Sequence, residues 1–235
     1  MAWNDLADLP FAAALRIHRG DLAPAEAYEG AHFDQLDLSQ PEAPGSRFLE
    51  CAFTRVSVQA GQLRRAQFTD VWLRDVRLIS TTLAESGWAG AEITGSVAAG
   101  VEAFAARLRG VSLHGCKLDS VNFRDAVLAD VSFDGCVLSD VDFSGAALTR
   151  TVFRDTRLIR TNFTRVTMDE VDLRGAELGI TVDPTCLRGA IVTTAQLMDL
   201  APLLAASMGL TVADATQRSR PPAGSGPGGR GRSRG

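Results

Sequence analysis

The feature that most constrains this chain is a period of five. From Phe33 to Leu178, stepping by five meets thirty consecutive uncharged positions, most of them Phe or Leu. Two residues before each of these centres sits a small or short residue, as at Ala66, Val71, Val76, Cys116, Val121, Ala126, Val131, Cys136, Val141, Ala146, Thr151 and Thr161. The other three positions are mostly polar or Gly. A period of five is neither 3.6 nor 2, so helix and flat strand both fail to explain it. The pattern requires a chain that turns at every repeat and directs two side chains inward each time. Asp, Gly, Ser and Arg at the remaining positions suit turns and a wet exterior. No single repeat can bury its own apolar residues, so the coils must stack.

Several fives read almost alike: Val121-Asn122-Phe123-Arg124-Asp125, Val141-Asp142-Phe143-Ser144-Gly145, Thr161-Asn162-Phe163-Thr164-Arg165 and Val171-Asp172-Leu173-Arg174-Gly175. They resemble the A(D/N)LXX consensus of the pentapeptide repeat proteins, and the resemblance extends over residues 31–180. It implies an all-β repeat fold, a right-handed quadrilateral β-helix with four fives to the coil. At a strand spacing of about 4.8 Å, thirty fives give a rod roughly 36 Å long. Residues twenty apart then stack, which predicts the ladders Phe123–Phe143–Phe163, Phe133–Phe153, Leu108–Leu128–Leu148 and Leu118–Leu138–Leu158–Leu178. Asn122, Asp142 and Asn162 are expected to form a polar ladder, and Cys116 and Cys136 a thiol column.

Two stretches weaken the pattern. Residues 39–47 put Pro41 at a small inward position and Ala43 at a centre. Residues 96–107 offer only Ala98 and Ala103 as centres and turn Phe104 outward. Both keep the count of five, so loop and coil remain open for each.

The ends lie outside the period. Residues 1–30 are read as an N-terminal helical cap, with a helix over 8–18 capped by Asp8, started by Pro10 and lying as a lid on the first coil. Residues 181–215 are read as a C-terminal cap or dimerisation helix, running from Ala195 to Met208, ended by Gly209 and kinked or divided at Pro202. Leu197, Met198, Leu200, Leu203, Leu204 and Met208 are too many apolar residues for a solvated helix. They fit either packing on the last coil or a homodimer contact. The resemblance implies the latter, since gyrase-interacting members of the family dimerise through their C-terminal ends. Residues 216–235 are Arg, Gly, Pro and Ser in the main, and are read as a disordered tail.

The net charge of −4 argues against wholesale binding of nucleic acid or membrane. It is nevertheless a sum of opposites: the five Arg of residues 218–235 leave −9 on residues 1–217. No apolar run approaches a membrane span and no signal peptide is recognisable, so a cytoplasmic location is expected. The four Cys form no CxxC pair, which leaves reduced, buried thiols as the expectation. His18, His32 and His114 fall in no metal-binding spacing, and there is no P-loop and no GxGxxG followed by a usable βαβ unit. No catalytic residue, cofactor or metal is therefore expected, and the chain is read as a non-enzyme.

The exterior charge is banded. Asp119, Asp125, Asp130, Asp134, Asp140 and Asp142 lie close in sequence with only Arg124 opposing them, and Arg150 to Arg165 follow with five Arg. The twenty-residue offset pairs Asp130 with Arg150 and Asp140 with Arg160. Two functions compete. The resemblance implies a DNA mimic that binds DNA gyrase or another type II topoisomerase, modulating it or protecting it from inhibitors such as quinolones, with the acidic band as the contact. The alternative is a scaffold or interaction module for another protein.

Overall fold

The computed structural model describes residues 5–212. The period of five folds as the spacing predicts: a β-solenoid of four flat faces, repeating every twenty residues. Face 1 is an eight-stranded parallel sheet running from Ala27–Glu29 to Thr167–Asp169. Face 2 is a ten-stranded parallel sheet that begins at Arg16–His18 and ends at Ala190–Ile191. Face 3 is an eight-stranded parallel sheet from Asp37–Ser39 to Glu177–Thr181. Face 4 has no extended strands; single bridges link Glu42, Gln62, Thr82, Glu102, Asn122, Asp142 and Asn162 in turn. Tight turns close this face, as where Ala126 N–H donates to the Phe123 carbonyl at 3.1 Å.

Each five ends at a corner in the left-handed backbone region, at Gly90 (φ +67°) as at Asp130 (φ +56°) and Arg150 (φ +45°). Outside glycine this conformation costs about 1–2 kcal/mol per residue. The corners hold because their N–H groups bond to the next coil: Asp130 N–H to Thr149 O at 3.0 Å, Arg150 N–H to Asp169 O at 2.8 Å.

The core is the column of centres. Twenty-five of the thirty are buried, and the ladders stack in the expected register. Phe123, Phe143 and Phe163 lie face to face with centroids 5.3 and 5.2 Å apart, and Phe133 and Phe153 at 4.9 Å. The residues two before each centre are buried along the bore, except Leu36 and Pro41, which are half-buried. Where these carry a hydroxyl or thiol, it commonly bonds to backbone: Thr156 Oγ1 donates to Phe133 O at 3.1 Å, and Cys136 Sγ to Leu113 O at 3.4 Å. All four Cys are free thiols.

Both weak stretches stay in the coil. Ala43 is fully buried between the strands Asp37–Ser39 and Arg47–Leu49. Val97–Ala99 keeps its place in face 3, paired to Arg77–Ile79 and Lys117–Asp119. Phe104 points outward, with the Arg64 guanidinium 5.6 Å from its ring centre.

The N-terminal expectation needs correction. Residues 8–18 form no α-helix. Two 3-10 turns, Leu6–Asp8 and Ala12–Ala14, flank Pro10, and the chain then extends as Arg16–His18. The cap is Asp5, not Asp8: Asp8 returns the bond to the Asp5 N–H, completing a capping box. Nor do the turns lie over the rod's end. Leu9 and Phe11 pack on the outside of face 2 against Ala52 and Trp72. The end is covered by the strand Arg16–His18, which pairs with Ala31–Phe33. His18 thus sits on a strand, its ring tilted 49° to that of Phe33 with centroids 4.9 Å apart. The period also starts one five earlier than residue 31, with Tyr28 as a buried centre stacked on Phe48 at 5.0 Å.

At the other end, α1 spans Thr194–Ser207 and runs unbroken through Pro202. Thr193 and Gln196 form its capping box. The same Gln196 donates to Leu173 O at 2.7 Å and Ala176 O at 2.9 Å, bonding the helix start to carbonyls of the last coil. The tail of residues 216–235 lies outside the described residues.

Candidate functional site

The outer surface has three positions per five, so its chemistry is a grid with a twenty-residue vertical step. The six acids of the band do not share a face. Asp130 is on face 1, Asp134 on face 2, Asp119 and Asp140 on face 3, Asp125 and Asp142 on face 4. They ring the rod.

Most are also paired. Arg150 clasps Asp130 with Nε at 2.6 Å and Nη2 at 2.8 Å. Arg160 clasps Asp140 likewise, with Nε at 2.6 Å. Both pairs join coils through side chains twenty residues apart, as the spacing predicts. The Arg hydrogen bonds hold both carboxyls below the usual carboxylate range and raise both guanidiniums. Asp134 stands 3.8 Å from His114 Nδ1 and 3.9 Å from Arg154 Nη1. Asp142 accepts from Ser144 N–H at 2.9 Å and Asn162 Nδ2 at 3.0 Å, with Arg124 at 3.9 Å. Asp119 accepts from the Ser120 hydroxyl at 3.1 Å. Asp125 stands at a corner with no side-chain partner among the described residues. The polar ladder on face 4 is present, extended by Asn122 donating to Glu102 at 2.6 Å.

Charge is close to balanced over the whole rod. Residues 31–180 hold twenty Asp and Glu against sixteen Lys and Arg, so less than half of the −9 sits on the coils. Between the charges the faces are flat and carry small residues: Ala89, Ala129, Ala147, Thr149 and Val127 on face 1, Val97, Ala99, Val137 and Ser139 on face 3.

One constellation was not singled out in the sequence. On face 2, His32 Nε2 lies 2.8 Å from Thr54 Oγ1, Thr54 donates to Asp34, and Arg55 Nη2 reaches Asp34 at 2.6 Å. Thr54 and Asp34 are twenty apart, so the stacking rule contained the signal. The order of contacts is wrong for an activated nucleophile. The hydroxyl donates its hydrogen bond to the carboxylate, and among the described residues no acid is hydrogen-bonded to the ring. Burial lowers the His32 pKa. Among the described residues, no group of three or more His, Cys, Asp or Glu could hold a metal ion.

The thiols are placed for packing. Burial pushes Cys51 up to about 11. Cys116 is raised by the adjoining Cys136 sulfur and by burial.

The six apolar residues of α1 and its C-cap Met208 divide. Leu200 is buried, and Leu204 is half-buried. Met198 (68%) and Met208 (75%) stand in the open, with Leu197 and Leu203 also exposed. The helix therefore caps the last coil with one side and leaves another uncovered. No helix among the described residues is long and apolar enough to cross a membrane.

Among curated proteins none matches the chain. Solved structures align at low identity. HetL, a pentapeptide repeat protein involved in heterocyst differentiation regulation in the cyanobacterium Nostoc, is 18% identical over 74% of this chain and 92% of its own, with a TM-score of 0.45. Full-length QnrB1, a plasmid-mediated fluoroquinolone resistance protein, is 17% identical over 74% of this chain and 99% of its own, at 0.26. A pentapeptide repeat protein of the Arabidopsis thaliana thylakoid lumen is 16% identical over 55% and 75%, at 0.35. At such identities and scores they carry nothing about function. The family model described as pentapeptide repeat region matches residues 106–181. Residues 106–181 are thus a pentapeptide repeat region, and the same register and the same four faces continue back to Tyr28.

Proposed function

We propose that this protein is a non-enzymatic scaffold: a stiff rod that presents flat, weakly charged faces to another protein. The observation that carries this reading is the coil-to-coil pairing of the acids. A mimic of DNA needs a dense array of unpaired negative charge. Here Arg150 and Arg160 neutralise Asp130 and Asp140, and the remaining acids are spread around the circumference. Exposed ion pairs add little to stability, so their main effect is on the field the rod projects. A partner recognised by small-residue faces is held by shape and apolar contact, and its binding resists salt. The test is capture of partners by full-length protein from the native cell extract at low and high salt. A reproducible non-topoisomerase partner retained at high salt supports the scaffold. Finding only partners that salt strips away counts against it.

DNA mimicry is the second reading. The −9 of residues 1–217 and the rod form favour it. Supercoiling by purified gyrase, with and without this protein and a quinolone, decides it. Inhibition or protection that weakens steeply with salt would replace the scaffold reading.

We place the protein in the cytoplasm, where adjoining thiols such as Cys116 and Cys136 stay reduced. Alkylation in intact cells followed by mass spectrometry would show a Cys116–Cys136 disulfide if this is wrong.

We further propose a homodimer through the uncovered side of α1. A two-fold contact there would bury Met198 and Met208 and join two rods end to end. Met198→Glu with Met208→Glu should halve the mass found by light scattering. These positions are preferable to Leu204, whose replacement would disturb the cap. A wild-type monomer, or an unchanged mass, rejects the contact.

A further inference from the structure

In the coil formed by residues 86–105 the column of centres fails to fill the bore. Its four centres are Trp88, Ile93, Ala98 and Ala103. The coils on either side place Leu78 and Leu118 in line with Ala98, and Leu83 and Phe123 in line with Ala103. Trp88 faces Ala98 across the bore and takes up part of the missing volume. Its ring stacks on Phe68 at 3.9 Å, and its Nε1 donates to Ser86 Oγ at 3.0 Å, which fixes the indole in place. The indole is thereby tied back toward face 1 and does not close the gap. A cavity of about 80 Å³ remains, walled by Leu78, Trp88, Ala98, Ala103, Leu118 and Phe123 among others. A second void of about 30 Å³ shares Leu78, Leu83 and Trp88 as wall. Five centres are less than fully buried. Leu38 and Leu178 lie near the rod's ends, and the other three, Leu78, Ile93 and Ala98, all border the cavity.

The wall offers nothing to water. Its polar groups are already engaged: Ser96 Oγ donates to Thr94 O at 3.1 Å and accepts from Val76 N–H at 3.0 Å, and Cys116 Sγ contacts Ile93 O at 3.4 Å. A buried water needs two to four polar partners, and an apolar void without them stays dry. Engineered apolar cavities of roughly 150 Å³ take benzene or xenon. The present one is about half that size, too small for an aromatic ring and large enough for a guest of one to three heavy atoms.

We infer that the 86–105 coil is a binding site for one small apolar guest of gas-like size, seated between Trp88 and the Ala98–Ala103 pair. The guest gains dispersion contacts that the wall otherwise lacks, and no hydrogen bond is lost on either side. The site does not depend on the scaffold reading, because it lies inside the rod and not on a face.

Xenon is the probe. Full-length protein with labelled methyl groups is titrated with xenon under pressure and followed by NMR. Saturable shifts confined to the Leu78, Ile93, Ala98, Ala103 and Leu118 methyls are expected. They should vanish in Ala98→Leu, which refills the column. Ala103→Val, a smaller filler on the neighbouring face, guards against a misfolded first variant and should also abolish them. Unshifted methyls in the wild type, or shifts that persist in a folded filled variant, would overturn the site.

Discussion

The two halves of the rod keep the same backbone with different fillings. From residue 106 to 181 every centre but Met168 is Phe or Leu, with stacked rings 9° and 5° from parallel along Phe123–Phe143–Phe163. From Tyr28 to Phe104 the columns are mixed: Phe48–Phe68 is followed by Trp88, and Val58 and Leu78 by Ala98. The family model matches only the uniform half, yet the strands, corners and bridges continue through both. The coil is therefore set by the count of five and the small residue two before each centre. The identity of the centre sets how well the bore is filled.

This contrast can be broken most severely at a uniform column. Phe143→Ala removes a fully buried ring between two stacked neighbours and should cost about 3–5 kcal/mol in urea unfolding. A cost below ~1 kcal/mol would mean the ladder is not tightly packed. Cys51 probes the mixed half from the alkaline side. Its folded pKa of about 11 lies above the ordinary 9.0, so the thiol form favours folding fully below that ordinary value. The contribution should fade as pH climbs from there through the folded value, by up to about 3 kcal/mol. Cys51→Ala should flatten that decline, and an unchanged alkaline limb would reject the assignment.

One substitution should change sign between the halves. Ala126→Leu forces bulk into a fully buried corner position and should destabilise by roughly 1–3 kcal/mol. Ala98→Leu fills the cavity and should stabilise the fold by about 1 kcal/mol. Equal signs in thermal unfolding would show that filling is not what separates the halves. The smallest effect lies on the surface. Asp140 has a lowered pKa, so its pairing supports the fold above the ordinary carboxylate value of 3.8 and is lost as pH falls through the lowered one. Arg160→Gln should move the Asp140 carboxyl titration upward by NMR. A stationary titration would show that the pair does not persist in solution.

The coil was legible because its signal is redundant: thirty centres carry one register, and three alanines cannot cancel it. The twenty-residue step likewise foretold Asp130–Arg150, Asp140–Arg160 and the Asn162–Asp142 bond. The N-terminus was not legible. Pro10 and the alanines after it suit a helical turn or a 3-10 turn equally, and what decides is Trp72 and Ala52, which form an apolar patch only once face 2 exists. Pro202 stayed within α1 although local rules end a helix there. The gap at Ala98 and Ala103 was visible as weak centres, but its meaning depended on whether the stretch left the coil. The division of the α1 residues between cap and open side was hidden for the same reason, since it depends on where Gln196 meets the last coil.

The backbone bonds of every ladder run along the rod, from one coil to the next. A pull on the two ends therefore loads successive coils in series, and the rod yields where a single coil is held least. Its neighbours grip residues 86–105 across a void, so under tension the chain should part there first and give up its length twenty residues at a time.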